Sequence, residues 1–478
     1  MGTSALAAAW TWLASFGRAA PAVGALEPHQ ASGVKVGEIT PHSVIVWTRL
    51  TAKPARNSGE GYLAIEGNVK STAVPQKVPA SDLLAGACPG AAGRIRIRYS
   101  LKEDLSSAVV SDWVEVGEVT DFSCQFSLAN LKPDTRYFYA TETAPSAGGP
   151  PHGALHGKFQ TAPSPTLPGN FRFCVMTCQM YCDRDHPDGH PIYPAMLQQA
   201  PRFLVCTGDN VYYDNEEPRA VTVELARYHW QRMFSLPRLA EFYRNVGCYF
   251  EKDDHDTLKN DSWPGQSMGE LQFVEGQAIF RQQVPVDGKP FRSFRWGRDL
   301  EIWLTDGRDY RSANDLPDGP QKTIWGTEQK EWLKRTLKES GATWKVLISP
   351  TPIVGPDRGA KSDNHANSGF QNEGDEIRSW FKENVPDNFV VICGDRHWQY
   401  HSIDPVSGVE EFSVGPASDS HAAGSPGEDP RYHKFHRVKG GFLSVELQRL
   451  EGNSRLVLQH HDVNGAVVHR VEKKRTVA

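Results

Sequence analysis

One local pattern constrains this chain more than any other. Short runs, apolar on consecutive residues, each end abruptly in a residue that can hold a cation or an anion. Phe171–Thr177 ends in Cys178-Gln179, Phe203–Thr207 in Gly208-Asp209-Asn210-Val211-Tyr212, and Cys248–Lys252 in Asp253-Asp254-His255-Asp256. Leu300–Thr305 ends in Asp306-Gly307-Arg308, and Phe389–Cys393 in Gly394-Asp395-Arg396-His397. Runs without alternation read as strands buried on both faces. Helical patterns lie between them. Glu328–Glu339 sets Trp332, Leu333 and Leu337 on one face with Gly341 as a stop, and Asp375–Val385 is ended by Pro386. Strands alternating with helices predict an α/β domain with an internal sheet. Ligands bind such sheets outside the carboxyl ends of the strands. The strand ends therefore predict one edge carrying Cys, Asp, Tyr, His and Arg together, which is the chemistry of a metal site.

The front of the chain follows another pattern. Residues from about 32 to 162 hold short strands (VGEITPHSVIVWTRL, GRIRIRYS, SDWVEVGEV, FSCQFSL, TRYFYATE) separated by turn residues and without helical stretches. This spacing predicts a small β-sandwich over 30–162. The proline-rich stretch 163–170 reads as a linker, 171–465 as the catalytic domain and 466–478 as a tail. In residues 1–25 an apolar stretch is followed by small residues ending Val23-Gly24-Ala25, like the end of an export signal, although no basic residue precedes it. A periplasmic or secreted location is the expectation. With 52 Lys and Arg against 57 Asp and Glu, the net charge of −5 excludes a strongly basic nucleic-acid binder. No apolar run reaches the ~20 residues that span a bilayer. The eight cysteines match no zinc-finger or CxxC spacing and read mostly as small core residues. A Cys88–Cys124 bridge is an option for an exported chain.

The strand-end set GDNVY (208–212), DDHD (253–256), GDRH (394–397) and TCQ (177–179), with the opening SGVKVGEITPHSVIVWTRL, resembles the alkaline phosphatase D family of metallophosphoesterases from about residue 32 to 463. The resemblance implies a four-layer α/β/β/α sandwich behind a fibronectin- or immunoglobulin-like all-β domain. It implies hydrolysis of phosphate esters, mono- or diesters, by in-line attack of a metal-activated water. It also implies the ligands. Cys178, Asp209, Tyr212 and His397 would hold Fe3+, and Asp209 would bridge to a Ca2+ site completed by Asp254 and Asp395. Thiolate and phenolate suit a transition metal and all-oxygen donors suit calcium. His255 would hydrogen-bond the phosphate or protonate the leaving oxygen. Arg308 and Asn260 are candidates for gripping phosphate oxygens. The substrate would be a small phosphate ester, a phospholipid or a nucleotide, with no specific nucleic-acid partner and an open oligomeric state.

The sequence departs from the family at Asp256, where Glu is usual, and at Lys259-Asn260, where an Asn pair is common. Asn364, His365 and Asn367 in a later loop stay open as ligands. His186 and His190 lie in a Pro/Gly-rich stretch that reads as a loop near the site entrance. The three histidines of Asp419–His436 read as part of a solvated loop. Three rival functions stand beside the phosphatase: a cysteine phosphatase using Cys178 and Arg184 in C-x5-R spacing, a non-haem iron oxygenase, and a secreted, non-catalytic metal-binding protein. The first lacks the small residues needed to cradle phosphate. The second wants two histidines and one carboxylate.

Overall fold

The computed structural model describes residues 27–69, 79–146 and 148–477. The export-signal expectation, on residues 1–25, lies outside the described residues. Two sheets face each other. One has nine strands and is built around the parallel strands Phe171–Met176, Phe203–Thr207 and Gly247–Glu251. The other has seven and is built around the parallel strands Leu300–Leu304, Trp344–Ser349, Phe389–Cys393 and Glu410–Ser413.

The side-chain period of two explains why these runs are apolar throughout. Phe173, Val175, Phe203 and Val205 point into the space between the sheets and meet Ile302, Leu304, Val346, Ile348, Val390 and Ile392. Their neighbours Cys174, Met176, Leu204 and Cys206 point outward, under the helices Ile192–Gln198, Val223–Phe234, Pro237–Tyr243 and Phe273–Gln283. On the second sheet Trp303, Leu347 and Val391 point outward under Gly326–Glu339 and Gln371–Asn384. The central parallel strands of each sheet are buried on both faces, and the order of layers is helix, sheet, sheet, helix.

The front segment forms a sandwich that shares a sheet with the rest of the molecule. Val34–Gly37, Val44–Arg49 and Ser123–Leu128 extend the nine-stranded sheet, joined to it where Gly37 pairs in parallel with Cys248. A five-stranded sheet containing Gly93–Ser100, Arg136–Ala144 and His152–Gln160 covers them. One apolar cluster runs from Val46, Ile97 and Tyr139 to Phe173 and Trp296 without a break. At the other end, residues expected as a tail form the strand Val467–Thr476, paired with Asn453–His461 over its whole length. Alternation in VVHRVEKK is weak, and only the register with the preceding strand reveals it. All eight cysteines are free, so Cys88 and Cys124 are not bridged.

Candidate metal centre

Three strand ends turn sharply at the edge of the sheets. Cys178, Asp209 and Asp395 each follow a strand or its glycine and take left-handed backbone angles, with φ of 51°, 52° and 62°. Such angles cost non-glycine residues on the order of 1–3 kcal/mol and persist where the surroundings dictate them. Here two glycines explain the close approach. A Cβ on Gly394 would lie 2.4 Å from Thr207 Oγ1 and 2.7 Å from Thr177 Oγ1. A Cβ on Gly208, itself at φ +98°, would lie 2.6 Å from the Asp253 Cβ. The Cys178 and Asp209 turns and the Asp253–Asp256 loop are then stitched together. Gln179 N–H donates to Asp209 O (3.1 Å), and Asn210 donates from its backbone and side chain to Asp256 Oδ2 (2.9 and 2.6 Å). Asp256 Oδ1 accepts from Asp253 N (2.7 Å), so this carboxylate ties two ligand loops together.

These loops bring two donor groups together among the described residues. Donor atoms of Cys178, Asp209 and His397 lie within 4.8 Å of one another, and so do those of Asp209, Asp254 and His255. Asp209 belongs to both. Tyr212 joins the first group: its Oη is 3.0 Å from Asp209 Oδ2 and 3.5 Å from His397 Nε2. Cys178 Sγ is 3.4 Å from Asp209 Oδ2.

The donor set fits a bound cation. Asp209 Oδ1 is buried and has no hydrogen-bond partner. Burial, reinforced by Asp254 and its neighbouring carboxylates, pushes the Asp209 carboxyl well above its ordinary range. Burial and the nearby Asp209 charge likewise raise the Cys178 thiol and the Tyr212 phenol, while burial depresses His397. Burial thus disfavours three anions at once, and a bound metal would supply the compensating positive charge.

The remaining sequence candidates fall out differently. Asp395 reaches the edge, but its carboxylate lies against the adjacent Arg396 guanidinium, and it is in neither donor group. Arg396 is fully buried and also pairs with Asp357 (3.0 Å) and Asp363 (3.3 Å). Arg308 does not face open space. Its Nε donates to Asp253 Oδ1 (2.5 Å), and its Nη2 lies 3.7 Å from Asp254 Oδ1, because a buried guanidinium needs carboxylates beside it. The guanidinium is fully buried beside Asp253 and Asp254, and its Nη2 makes no hydrogen bond. Asn260 is exposed, and its backbone N–H donates to Asp214 Oδ2 (2.8 Å). His255 is in the second donor group, closer to the ligands than expected, with its Nδ1 2.6 Å from Asp214 Oδ1.

The open residues serve the scaffold. His190 is buried against Met180 O (3.2 Å), and His186 lies in the half-exposed loop. His365 pairs with Glu373 (3.0 Å), Asn364 donates to Asp357 (2.8 Å), and Asn367 caps the turn Ser368–Phe370. The cysteine-phosphatase pairing is absent: Arg184 binds Glu66 and Tyr181 O instead. Sequence reasoning missed Asp214 and His421. Asp214 lies two residues beyond Tyr212 and offered a local signal. His421 comes from a turn-rich loop 209 positions from its partner Tyr212, and only the tertiary fold reveals it.

Two facing sheets flanked by helices, with cation donors at the strand ends, define a metallophosphoesterase fold. The family model for PhoD-like phosphatase matches residues 173–475, and that for the PhoD-like phosphatase N-terminal domain matches 18–163. The chain belongs to the PhoD-like phosphatase family. It is 22% identical over 428 residues to alkaline phosphatase D of Bacillus subtilis (strain 168), covering 77% of this chain and 64% of that protein, so it spans less than two thirds of that relative. The solved structure of PhoD superposes with a TM-score of 0.70 at 17% identity, covering 96% of this chain and 94% of the other. A purple acid phosphatase from yellow lupin (Lupinus luteus) seeds gives 0.61 at 13%, covering 92% and 73%. At these identities the two structures show the shared fold.

Proposed function

We propose that this chain is a metal-dependent phosphoric ester hydrolase. The observation that carries the proposal is Asp209, a buried carboxylate shared by two donor groups at the strand ends. In this reading Cys178, Asp209, Tyr212 and His397 hold ferric iron, and Asp209 with Asp254 holds calcium, with Asp395 able to join after turning from Arg396. When bound, the cations supply Lewis acidity to phosphoryl oxygens and lower the pKa of water. The protein's part is positional and acid–base. Burial works against a charged His255, yet the carboxylates of Asp214, Asp254 and Asp209 outweigh it in the metal-free protein and shift the imidazole well above its ordinary range. With Nδ1 engaged by Asp214, its other nitrogen is left to donate to a phosphoryl oxygen or to the leaving oxygen. Arg308, Asp253 and Asp256 keep the ligand loops in register.

Monoesters and diesters both fall within this proposal, phospholipid and nucleotide esters included. Export to the periplasm or medium is part of it too, and rests on the pattern of residues 1–25. No helix of the described residues is long and apolar enough to cross a membrane. The test is elemental analysis of the purified protein, paired with hydrolysis of a chromogenic monoester and diester before and after chelation. Iron with calcium and chelator-sensitive turnover are expected, and the two rates assign the ester class. Metal-free protein that hydrolyses neither ester after metals are restored would falsify the proposal.

A further inference from the structure

His421 is buried beside the first donor group, on a loop that no catalytic strand carries. Its Nε2 is 3.0 Å from Tyr212 Oη, and its ring lies 4.1 Å from that of His397, centroid to centroid. Its Nδ1 is 2.9 Å from Asp183 Oδ2. The imidazole thus spans from Asp183 to the phenol oxygen.

The loop around it is anchored to the ligands themselves. Thr177 and Pro416 form a parallel bridge, and Ala417 N–H donates to Cys178 O (3.2 Å). Six residues on, Ala423 N–H donates to His397 O (3.2 Å). Between these points, Asp419 N–H donates to Asp185 Oδ2 (2.8 Å), so the segment carrying Asp183 is tied to the same loop. His421 is therefore fixed from three sides. It is not in the donor group of Cys178, Asp209 and His397, so its reach is to the phenol oxygen and not to the centre of the cluster.

We infer that Asp183 and His421 form a positioning pair that holds the Tyr212 oxygen toward the metal. This rests on the proposed role of Tyr212 as a ligand and adds a partner behind it. Asp183 fixes the ring orientation, His421 fixes the phenol oxygen, and the paired loops wall off the Tyr212 side of the site. Partners behind a ligand typically contribute 10–100-fold to metal affinity.

The experiment titrates chelator-stripped protein with ferric citrate, following bound iron and the phenolate-to-iron absorption band. It compares wild type, His421→Ala, Asp183→Asn and the double variant. Each single variant is expected to bind iron about 10–100-fold more weakly and to displace the band. The double variant should bind no more weakly than His421→Ala, because Asp183 acts through the imidazole. Melting of metal-free Asp183→Asn should stay near the wild-type midpoint, whereas His421→Ala, which leaves buried partners unpaired, should melt lower. Single variants with wild-type affinity and band, or losses that add in the double variant, overturn the pair. If His421→Ala does not fold, Asp183→Asn decides alone, since the Asp183 side chain is 22% exposed and tolerates the change. Absence of the band in wild type overturns the ligand role of Tyr212 and the pair with it; a band in wild type that the variants leave untouched overturns the pair only.

Discussion

At the scale of single residues, the site is built by side chains that are costly unless a cation joins them. Asp209→Asn should abolish bound metal and turnover together while leaving the circular dichroism spectrum native, since the amide keeps the volume and sheds the charge; turnover retained in that variant would remove Asp209 from the bridging position. Tyr212→Phe should lose the visible band expected of an iron phenolate, read by absorption on iron-loaded protein. Gly208→Ala places a methyl 2.6 Å from Asp253 Cβ at a backbone φ of +98°. It should lower stability by about 1–3 kcal/mol in a denaturant titration, the scale of left-handed strain, and more if Asp253 cannot shift.

At the scale of elements, loops and not strands decide the geometry. Asp256 closes the DDHD run, and its short side chain accepts from Asn210 and Asp253 at once. Asp256→Ala would strand three buried N–H donors at about 1–3 kcal/mol each, and should loosen metal binding as the GDN and DDHD turns separate; isothermal titration against the wild type measures it. Glu216, in the segment after Tyr212, is buried against Arg232 (2.8 Å) and receives the Cys182 N–H (2.7 Å). Burial opposes its charge, but Arg232 and His229 outweigh it and hold the carboxyl down to about 2, against an ordinary 4.5. The sign follows: this stabilisation is complete above about pH 4.5 and drains away as the pH falls toward 2. Glu216→Gln should flatten the acid limb of a plot of unfolding midpoint against pH. An unchanged limb would show that another group carries it.

At the scale of the whole molecule, the front sandwich and the catalytic layers share one sheet and one core. A fragment beginning at residue 163 would expose the edge of Gly247–Glu251, where Gly37 pairs with Cys248, and the apolar surface beneath Val46 and Phe126. An unpaired apolar edge is an aggregation site. That fragment should express as insoluble protein, whereas the full chain should unfold in one calorimetric transition; two separated transitions would refute the shared core.

Much of this was legible in the chain itself. Apolar runs such as Phe203–Thr207 and Trp344–Ser349 announce strands covered on both faces, and the residues directly after them name the donor chemistry, because strand length and side-chain period are local properties. That Cys178, Asp209, Tyr212, Asp254, His255 and His397 stand directly after strands was readable for that reason. The surroundings of Arg308 and Arg396 were not, since the carboxylates beside a buried guanidinium are brought from far along the chain. Nor was the strand Val467–Thr476, whose solvent-facing side hides its period, nor the joining of the sandwich to the catalytic sheet, which is a matter of register between segments 211 residues apart. The sequence by itself determined which residue types stand at the strand ends. Only the tertiary structure decided which of them meet, because convergence, burial and pairing with His421 arise when distant loops pack against one sheet edge.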